Sequence, residues 1–233
     1  MGAKVNDARL TLPDELLLLG WDDERGRNKS HYNLPVLLGA ASIVELVIRE
    51  AVTVEGQHLQ ATQTRLDHRA LDRVLSEIRD SKRRTIKTWI QRLGQHRWLR
   101  TAVLEELVEQ SIVRDESSRV LGVFPWSRHP VADDARVTAL RTHVADVLTR
   151  PEPIDDVRDA AIGGLVHSTG GSLIRRLVPR EHRGVARKRA KELSKGEAVN
   201  AEVAKAIRHT NDAVMIAMAA AAGATAATTV GGS

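Results

Sequence analysis

Residues 10–20 read LTLPDELLLLG, and this stretch decides the fold. Thr11 followed by Asp14 fits a capping box, and an early proline with acidic residues in the first turn is typical of a helix start. Four consecutive leucines follow Glu15, so the segment has hardly any polar face. The stretch predicts a short, mostly buried helix, which needs other elements around it.

The next segment supplies a partner for this helix. Leu34-Pro35 opens a second predicted helix, which runs to about Glu50 and carries little charge before Glu45 and Arg49. Its apolar residues recur at helical spacing; they are Val36, Leu37, Ala40, Ile43, Val44 and Val47. We expect this helix to be central.

The rest of the chain predicts more helices and two hairpins, one turning at Glu55-Gly56 and one spanning Ile112 to Trp126 with its turn at residues 115–118. The helices are expected near residues 68–80, 83–93, 98–110, 133–149, 154–168, 181–194 and 198–222. The fold class is therefore mainly α: a single globular domain over residues 10–222, with a central helical bundle, surrounding amphipathic helices and small β-hairpins. Residues 1–9 and 223–233 are expected to be flexible.

Composition narrows the function classes. The chain has 233 residues, 42% of them apolar, and no cysteine, which excludes disulfides and thiolate metal sites. Its net charge of +5 suits a polyanionic partner, either nucleic acid or an anionic membrane, or else a solvated arginine-rich surface. Aromatic residues make up only 3%, which argues against single-strand binding by base stacking. We expect a cytoplasmic protein, since no segment has the pattern of a secretory signal or a membrane span.

Motifs for catalysis are missing. The nine histidines include no zincin pair, and neither a phosphate loop nor a nucleophile elbow occurs. Gly163-Gly164 and Gly170-Gly171 are interpreted as a helix contact and a turn. We therefore expect a protein that is not an enzyme, with no cofactor and no metal.

Two basic features stand out. Arg97 and Arg100 lie one turn apart at the start of a predicted helix, where cations oppose the macrodipole unless an external anion binds there. They are a candidate phosphate site, with two solvated arginines as the alternative. Residues 175–191 carry eight basic residues and one acid, Glu181. This run could attract anionic lipids or nucleic acid, or be a solvated helix face.

One apolar feature remains, the segment from Val120 to Trp126. A buried strand is the ordinary interpretation. A hairpin tip that dips into a bilayer is the functional one, and the residues that would insert are Val120, Leu121, Val123, Phe124 and Trp126.

Several segments in order resemble the Golgi phosphoprotein 3 family. The opening stretch at residues 10–20 is similar to the start of that domain, and residues 23–26 and 43–49 resemble its first turn and core helix. Arg97-Trp98-Leu99-Arg100, followed by residues 107–109 and 128–130, keeps the family's order and nearly its spacing. The resemblance covers about residues 10–222.

This resemblance implies a mostly helical peripheral membrane protein that binds phosphatidylinositol 4-phosphate, at the Golgi in eukaryotic relatives and at the cytoplasmic face of the membrane here. Arg97 and Arg100 match the family's paired phosphate-binding arginines, and Tyr32 is the best match to its headgroup aromatic. The hairpin at residues 120–126 matches the family's membrane-inserting hairpin, which also mediates homo-oligomer contacts.

One departure concerns the ligand. Gly39 stands where eukaryotic members carry a further headgroup arginine. The alanine- and arginine-rich composition looks actinobacterial. Together with the missing arginine, it leaves open that the ligand is another anionic lipid, such as phosphatidylinositol, its mannosides or cardiolipin. The alternatives to lipid binding are a protein-interaction scaffold and a nucleic-acid-binding protein that uses the basic run, although no nucleic acid is expected.

Overall fold

The computed structural model describes residues 9–23, 26–28, 33–116, 118–120, 124–126 and 128–200. The helices in this part of the chain are α1 Leu12–Leu19, α2 Leu34–Ile48, α3 Arg69–Asp80, α4 Ile86–Gln95, α5 Arg97–Glu109, α6 Asp134–Thr149, α7 Val157–His167, α8 Ser172–Leu177 and α9 Arg183–Leu193. Three antiparallel two-stranded sheets pair β1 Trp21–Asp22 with β2 Arg27–Asn28, β3 Val52–Glu55 with β4 His58–Ala61, and β5 Ser118–Val120 with β6 Phe124–Trp126. The predicted mainly α fold is confirmed.

Helix α1 begins where the capping box predicts. The carboxylate of Asp14 accepts hydrogen bonds from the backbone N–H of Thr11 at 2.9 Å and from its hydroxyl at 2.5 Å. All of α1 except Glu15 is buried. The chain therefore surrounds this helix on nearly every side, as its lack of a polar face requires.

Helix α2 is the centre of the bundle and packs against α1, α4, α5 and α7. Its contact with α4 is close because a glycine lies on each helix. A methyl group on Gly39 would lie 3.0 Å from Cβ of Leu93, and one on Gly94 would lie 2.9 Å from Cα of Val36. These two positions leave no room for a side chain, so they set the separation of the helices.

A buried charge cluster joins α1, α2 and α7. The carboxylate of Glu45 is fully buried and accepts hydrogen bonds from Arg158 at 2.6 and 2.8 Å, from Arg49 at 2.6 Å and from the backbone N–H of Leu12 at 2.9 Å. Arg158 also donates to Glu15 at 3.3 Å. Glu45 therefore has a partner for each oxygen, which a buried carboxylate needs.

A second buried contact joins α1 to α3. Nε2 of His68 lies 3.2 Å from the carboxylate of Asp14, while its Nδ1 accepts the backbone N–H of Leu71 at 3.3 Å and so caps α3. Burial lowers the pKa of His68, but the hydrogen bond and charge of Asp14 outweigh it, so the pKa is raised above 6.5.

The two glycine pairs have the structural roles predicted for them. A methyl group on Gly163 would lie 2.4 Å from Cδ1 of Leu193, at the contact between α7 and α9. Gly170 and Gly171 form a turn with φ of +60° and +79°, a backbone conformation that favours glycine.

The structure differs from the sequence predictions at several boundaries. Strand β5 begins at Ser118 and pairs Val120 with Phe124 of β6, so residues 115–118 are not the turn of that hairpin. Helix α4 begins three residues later than predicted, because the hydroxyl of Thr85 caps it by accepting the N–H of Thr88 at 3.2 Å. Strands β1 and β2 and helix α8 were not predicted, and most of the helix predicted for residues 198–222 lies outside the described residues.

Among the described helices, none is long and apolar enough to span a bilayer.

Replacing Arg158 by methionine should destabilise the protein by about 3–5 kcal/mol, because Glu45 would keep a buried charge without its main partner. Urea unfolding followed by circular dichroism measures this loss. Arg83→Met is the matched control, since Arg83 pairs with Glu55 on the surface at 3.1 Å and should cost at most about 1 kcal/mol. Equal losses in the two variants would contradict a structural role for the cluster.

Stability should also depend on pH through Glu15. Burial raises the pKa of this carboxyl from 4.5 to about 7, although the charge of Arg158 opposes the shift. Because the folded protein holds the proton more tightly than the unfolded chain does, the free energy of unfolding should fall as pH rises from 4.5 to about 7. The pKa of His68 is also raised in the folded protein, so its contribution to the free energy of unfolding is likewise lost as pH rises.

Glu15→Gln removes the titrating group and keeps an oxygen that accepts from Arg158. We expect the variant to show a flatter profile of unfolding midpoint between about pH 5 and 8. The exposed Glu105→Gln is the control and should reproduce the parent profile. Parallel profiles for Glu15→Gln and the parent would show that this carboxyl does not set the dependence.

Candidate functional site

A cleft of about 1030 Å³ runs along one face of α5. Most of the residues that α5 contributes recur every three or four positions, which places them on the same side of the helix; they are Arg97, Arg100, Thr101, Leu104, Glu105, Val108 and Glu109. The buried Leu99 also lines the cleft. Val103 and Leu107 do not line the cleft and are buried in the core. The amphipathic pattern of α5 therefore fixes which side chains face the cleft.

The wall opposite α5 is built from two segments that lie far apart in sequence. The indole N–H of Trp21 donates to the backbone oxygen of His129 at 2.8 Å. Gly26, with φ of +59°, lies so close that a methyl group there would be 2.3 Å from the backbone nitrogen of His129. Only glycine fits, and its turn brings the β1–β2 hairpin against residues 128–130.

Arg97 and Arg100 are both exposed, and both line the cleft. Across the described chain, neither side chain makes a hydrogen bond or an ion pair. Trp98, between them, does not line the cleft; the guanidinium carbon of Arg73 lies 4.0 Å from the centroid of its ring. This cation–π contact holds the first turn of α5 against α3.

The start of α5 is poor in acceptors. His96 ends α4 and also precedes α5, its side chain does not cap the helix, and the first turn contains no acidic residue. The first backbone N–H groups of a helix have no partner within the helix, and they favour an anion. Together with Arg97 and Arg100, they form a site whose chemistry suits a phosphate or another compact anion.

Three carboxylates lie further along the cleft. Glu109 pairs with Arg69, and Asp115 lies 3.5 Å from Nε2 of His129. Glu105 is exposed and has no hydrogen bond or ion pair within the residues that the structure describes. In the same residues, no group of three or more metal-ligating side chains could hold a metal ion.

The structure brings together some of the residues singled out from the sequence. Arg97 and Arg100 line the same cleft. Tyr32, Leu121 and Val123 lie outside the described residues, as do the side chains of Val120, Phe124 and Trp126. The cleft also contains Trp21, which the sequence analysis did not single out. The signal in the sequence was the position of Trp21, which directly follows Gly20 at the end of the buried helix α1.

Gly39 does not line the cleft, although its neighbour Leu38 does. It lies in the contact between α2 and α4, where a methyl group would already lie 3.0 Å from Leu93. A larger side chain at this position would require Leu93 or the backbone at Ile90 to shift. The glycine at position 39, where eukaryotic members carry an arginine, is therefore consistent with the close packing of α2 and α4.

The basic run at residues 175–191 is not one helix face. It spans α8, a 3-10 turn and α9, and three of its arginines donate to backbone carbonyl groups: Arg176 to Trp21, Arg183 to Val178 and Arg175, and Arg189 to Glu152. Those three stabilise the fold. Charge counting alone therefore overstates how much of the run is available to a partner.

The comparison with known families agrees with this arrangement. The model of the family described as Golgi phosphoprotein 3 (GPP34) matches residues 12–210, which is most of the 233-residue chain and includes α1, the cleft and α9. The resemblance found in the sequence is confirmed, and the chain belongs to the Golgi phosphoprotein 3 (GPP34) family.

Proposed function

We propose that this protein binds the phosphate of an anionic lipid headgroup in the cleft along α5, as a peripheral membrane protein without catalytic activity. One observation carries the proposal: Arg97 and Arg100 are exposed in the cleft at the start of α5, and no described carboxylate neutralises them. A phosphate there would accept charge-assisted hydrogen bonds from both guanidinium groups and from the backbone.

The rest of the cleft suits a headgroup that is larger than phosphate. The hydroxyl of Thr101 and the carboxylate of Glu105 lie on the same face of α5 as the two arginines. They would bind the hydroxyl groups of an inositol ring, while Leu104 and Val108 offer apolar surface. Family membership supports phosphatidylinositol 4-phosphate or a bacterial equivalent as the ligand.

The membrane contact would come from the β5–β6 hairpin. Its apolar residues at positions 120, 121, 123, 124 and 126 would bury surface in the bilayer interface. The same hairpin would mediate any homo-oligomer. Tyr32, two residues before the first residue of α2, would pack on the headgroup ring.

Liposome co-sedimentation of the full chain tests the headgroup site. We expect Arg97→Ala with Arg100→Ala to weaken binding to phosphatidylinositol 4-phosphate vesicles at least about tenfold, because two charge-assisted contacts are lost. Phosphatidylserine vesicles of matched surface charge give the reference for non-selective attraction.

The matched control is Lys82→Ala with Lys87→Ala, which removes the same charge from exposed positions outside the cleft. It should keep the preference for the phosphorylated headgroup. If both double variants lost binding equally, attraction would follow net charge alone. A parent protein that ignores every vesicle would instead favour the protein-scaffold interpretation.

The hairpin can be tested separately from the headgroup site. Phe124→Ser with Trp126→Ser should abolish vesicle binding but leave the affinity for soluble inositol 1,4-bisphosphate unchanged, because only the interfacial burial is removed. Calorimetry measures the soluble ligand. Val185→Ser, at an exposed apolar position on α9, should leave both measurements unchanged. Vesicle binding that survives the hairpin change would disprove its insertion.

A further inference from the structure

Three basic residues on α8 and α9 have no structural role in the described protein. Arg175, Arg187 and Lys191 are exposed, and within the described ranges none of their side chains has a hydrogen bond or an ion pair. They differ in this from Arg176 and Arg189, which donate to carbonyl groups. Their charge is therefore available to a ligand.

Two of these side chains, Arg175 and Arg187, meet at the turn before α8. A methyl group built on Gly171 would lie 3.6 Å from Nε of Arg187 and 3.8 Å from Nη1 of Arg175, so guanidinium groups from two helices approach one point. Lys191 follows Arg187 by one helical turn. Burial, and then the charge of Lys191, lower the pKa of His167, the last residue of α7. As the residue four positions after Arg187, Lys191 lies on the same face of α9.

The arrangement is unfavourable unless an anion joins it. Like charges that share a small volume repel each other, and no acidic side chain is bonded to any of the three. Gly171 contributes no side chain, so both guanidinium groups can pack over its backbone. Two exposed arginines beside this turn, with Lys191 one helical turn from Arg187, provide the forked donors and the positive charge that a phosphate group accepts.

We propose that Gly171, Arg175, Arg187 and Lys191 form a second phosphate-binding site, the Gly171 notch, whose residues are not among those that line the cleft along α5. Its ligand carries a phosphate group, supplied either by a soluble phosphorylated compound or by the headgroup of an anionic lipid. The notch does not depend on the function proposed for Arg97 and Arg100.

The test uses the full chain carrying Arg97→Ala and Arg100→Ala, so that binding at the cleft does not contribute. Calorimetry with inorganic pyrophosphate measures the soluble source, and sedimentation with phosphatidylcholine vesicles containing phosphatidic acid measures the lipid source. Adding Arg175→Ala with Arg187→Ala should weaken binding at least about tenfold in one or both assays. Loss in both assays indicates a general phosphate site, and loss with vesicles alone indicates a lipid headgroup.

The matched control adds Arg180→Ala with Lys188→Ala to the same background. It removes equal charge from the same run, but Arg180 lies in the 3-10 turn and Lys188 pairs with Glu192 at 3.8 Å. We expect binding within about twofold of the starting protein. Arg187→Lys should weaken binding although it keeps the charge, because lysine lacks the planar fork.

Three results would overturn the proposal. Equal losses in the notch and control variants would mean that only net charge matters. No binding of pyrophosphate or vesicles by the starting protein would mean that the three side chains are simply solvated. The third result is salt-dependent binding of a short DNA duplex. If the notch and control double variants reduced that binding equally, the basic run would be a nucleic-acid surface.

Discussion

The carboxylate of Glu45 must be neutralised inside the core, and the positions of three helices follow from that requirement. Arg158 reaches it from α7, Arg49 from its own helix, and the first N–H of α1 from Leu12. A buried charge left without these partners would cost more than the packing around it could recover. The cluster therefore specifies how α1, α2 and α7 meet, where leucines and alanines alone would accept several arrangements.

The position of the cleft depends indirectly on this core. Helix α2 positions α4 through the glycine contact, and His96 alone separates α4 from α5. The start of α5, where Arg97 and Arg100 lie, is thus held from behind by α4 and from the side by the stacking of Arg73 on Trp98. A rigid support of this kind lets exposed arginines present a defined geometry although their own side chains have no partner.

Local signals were predictable from the sequence, and contacts between distant residues were not. The cap of α1 by Thr11 and Asp14 and the arginines at the start of α5 follow from residues only three positions apart. The partner of Glu45 lies 113 residues away, and nothing near Arg158 marks it as buried. Trp21 was missed for the same reason, since its hydrogen bond to residue 129 has no local pattern. In the basic run, the charges could be counted, but the arginines that bind carbonyl groups could not be distinguished.

The glycines at the α2–α4 crossing also constrain how this sequence can change. At Gly94 a methyl group would meet the backbone of Val36 at 2.9 Å as well as its side chain, so a smaller residue on the opposite helix would not make enough room for a side chain. Compensation would require the helices to separate, which would disturb the core on one side and the cleft on the other. In related sequences with this helix spacing, residues 39 and 94 should therefore stay small together, whereas the polar residues of the cleft can vary independently.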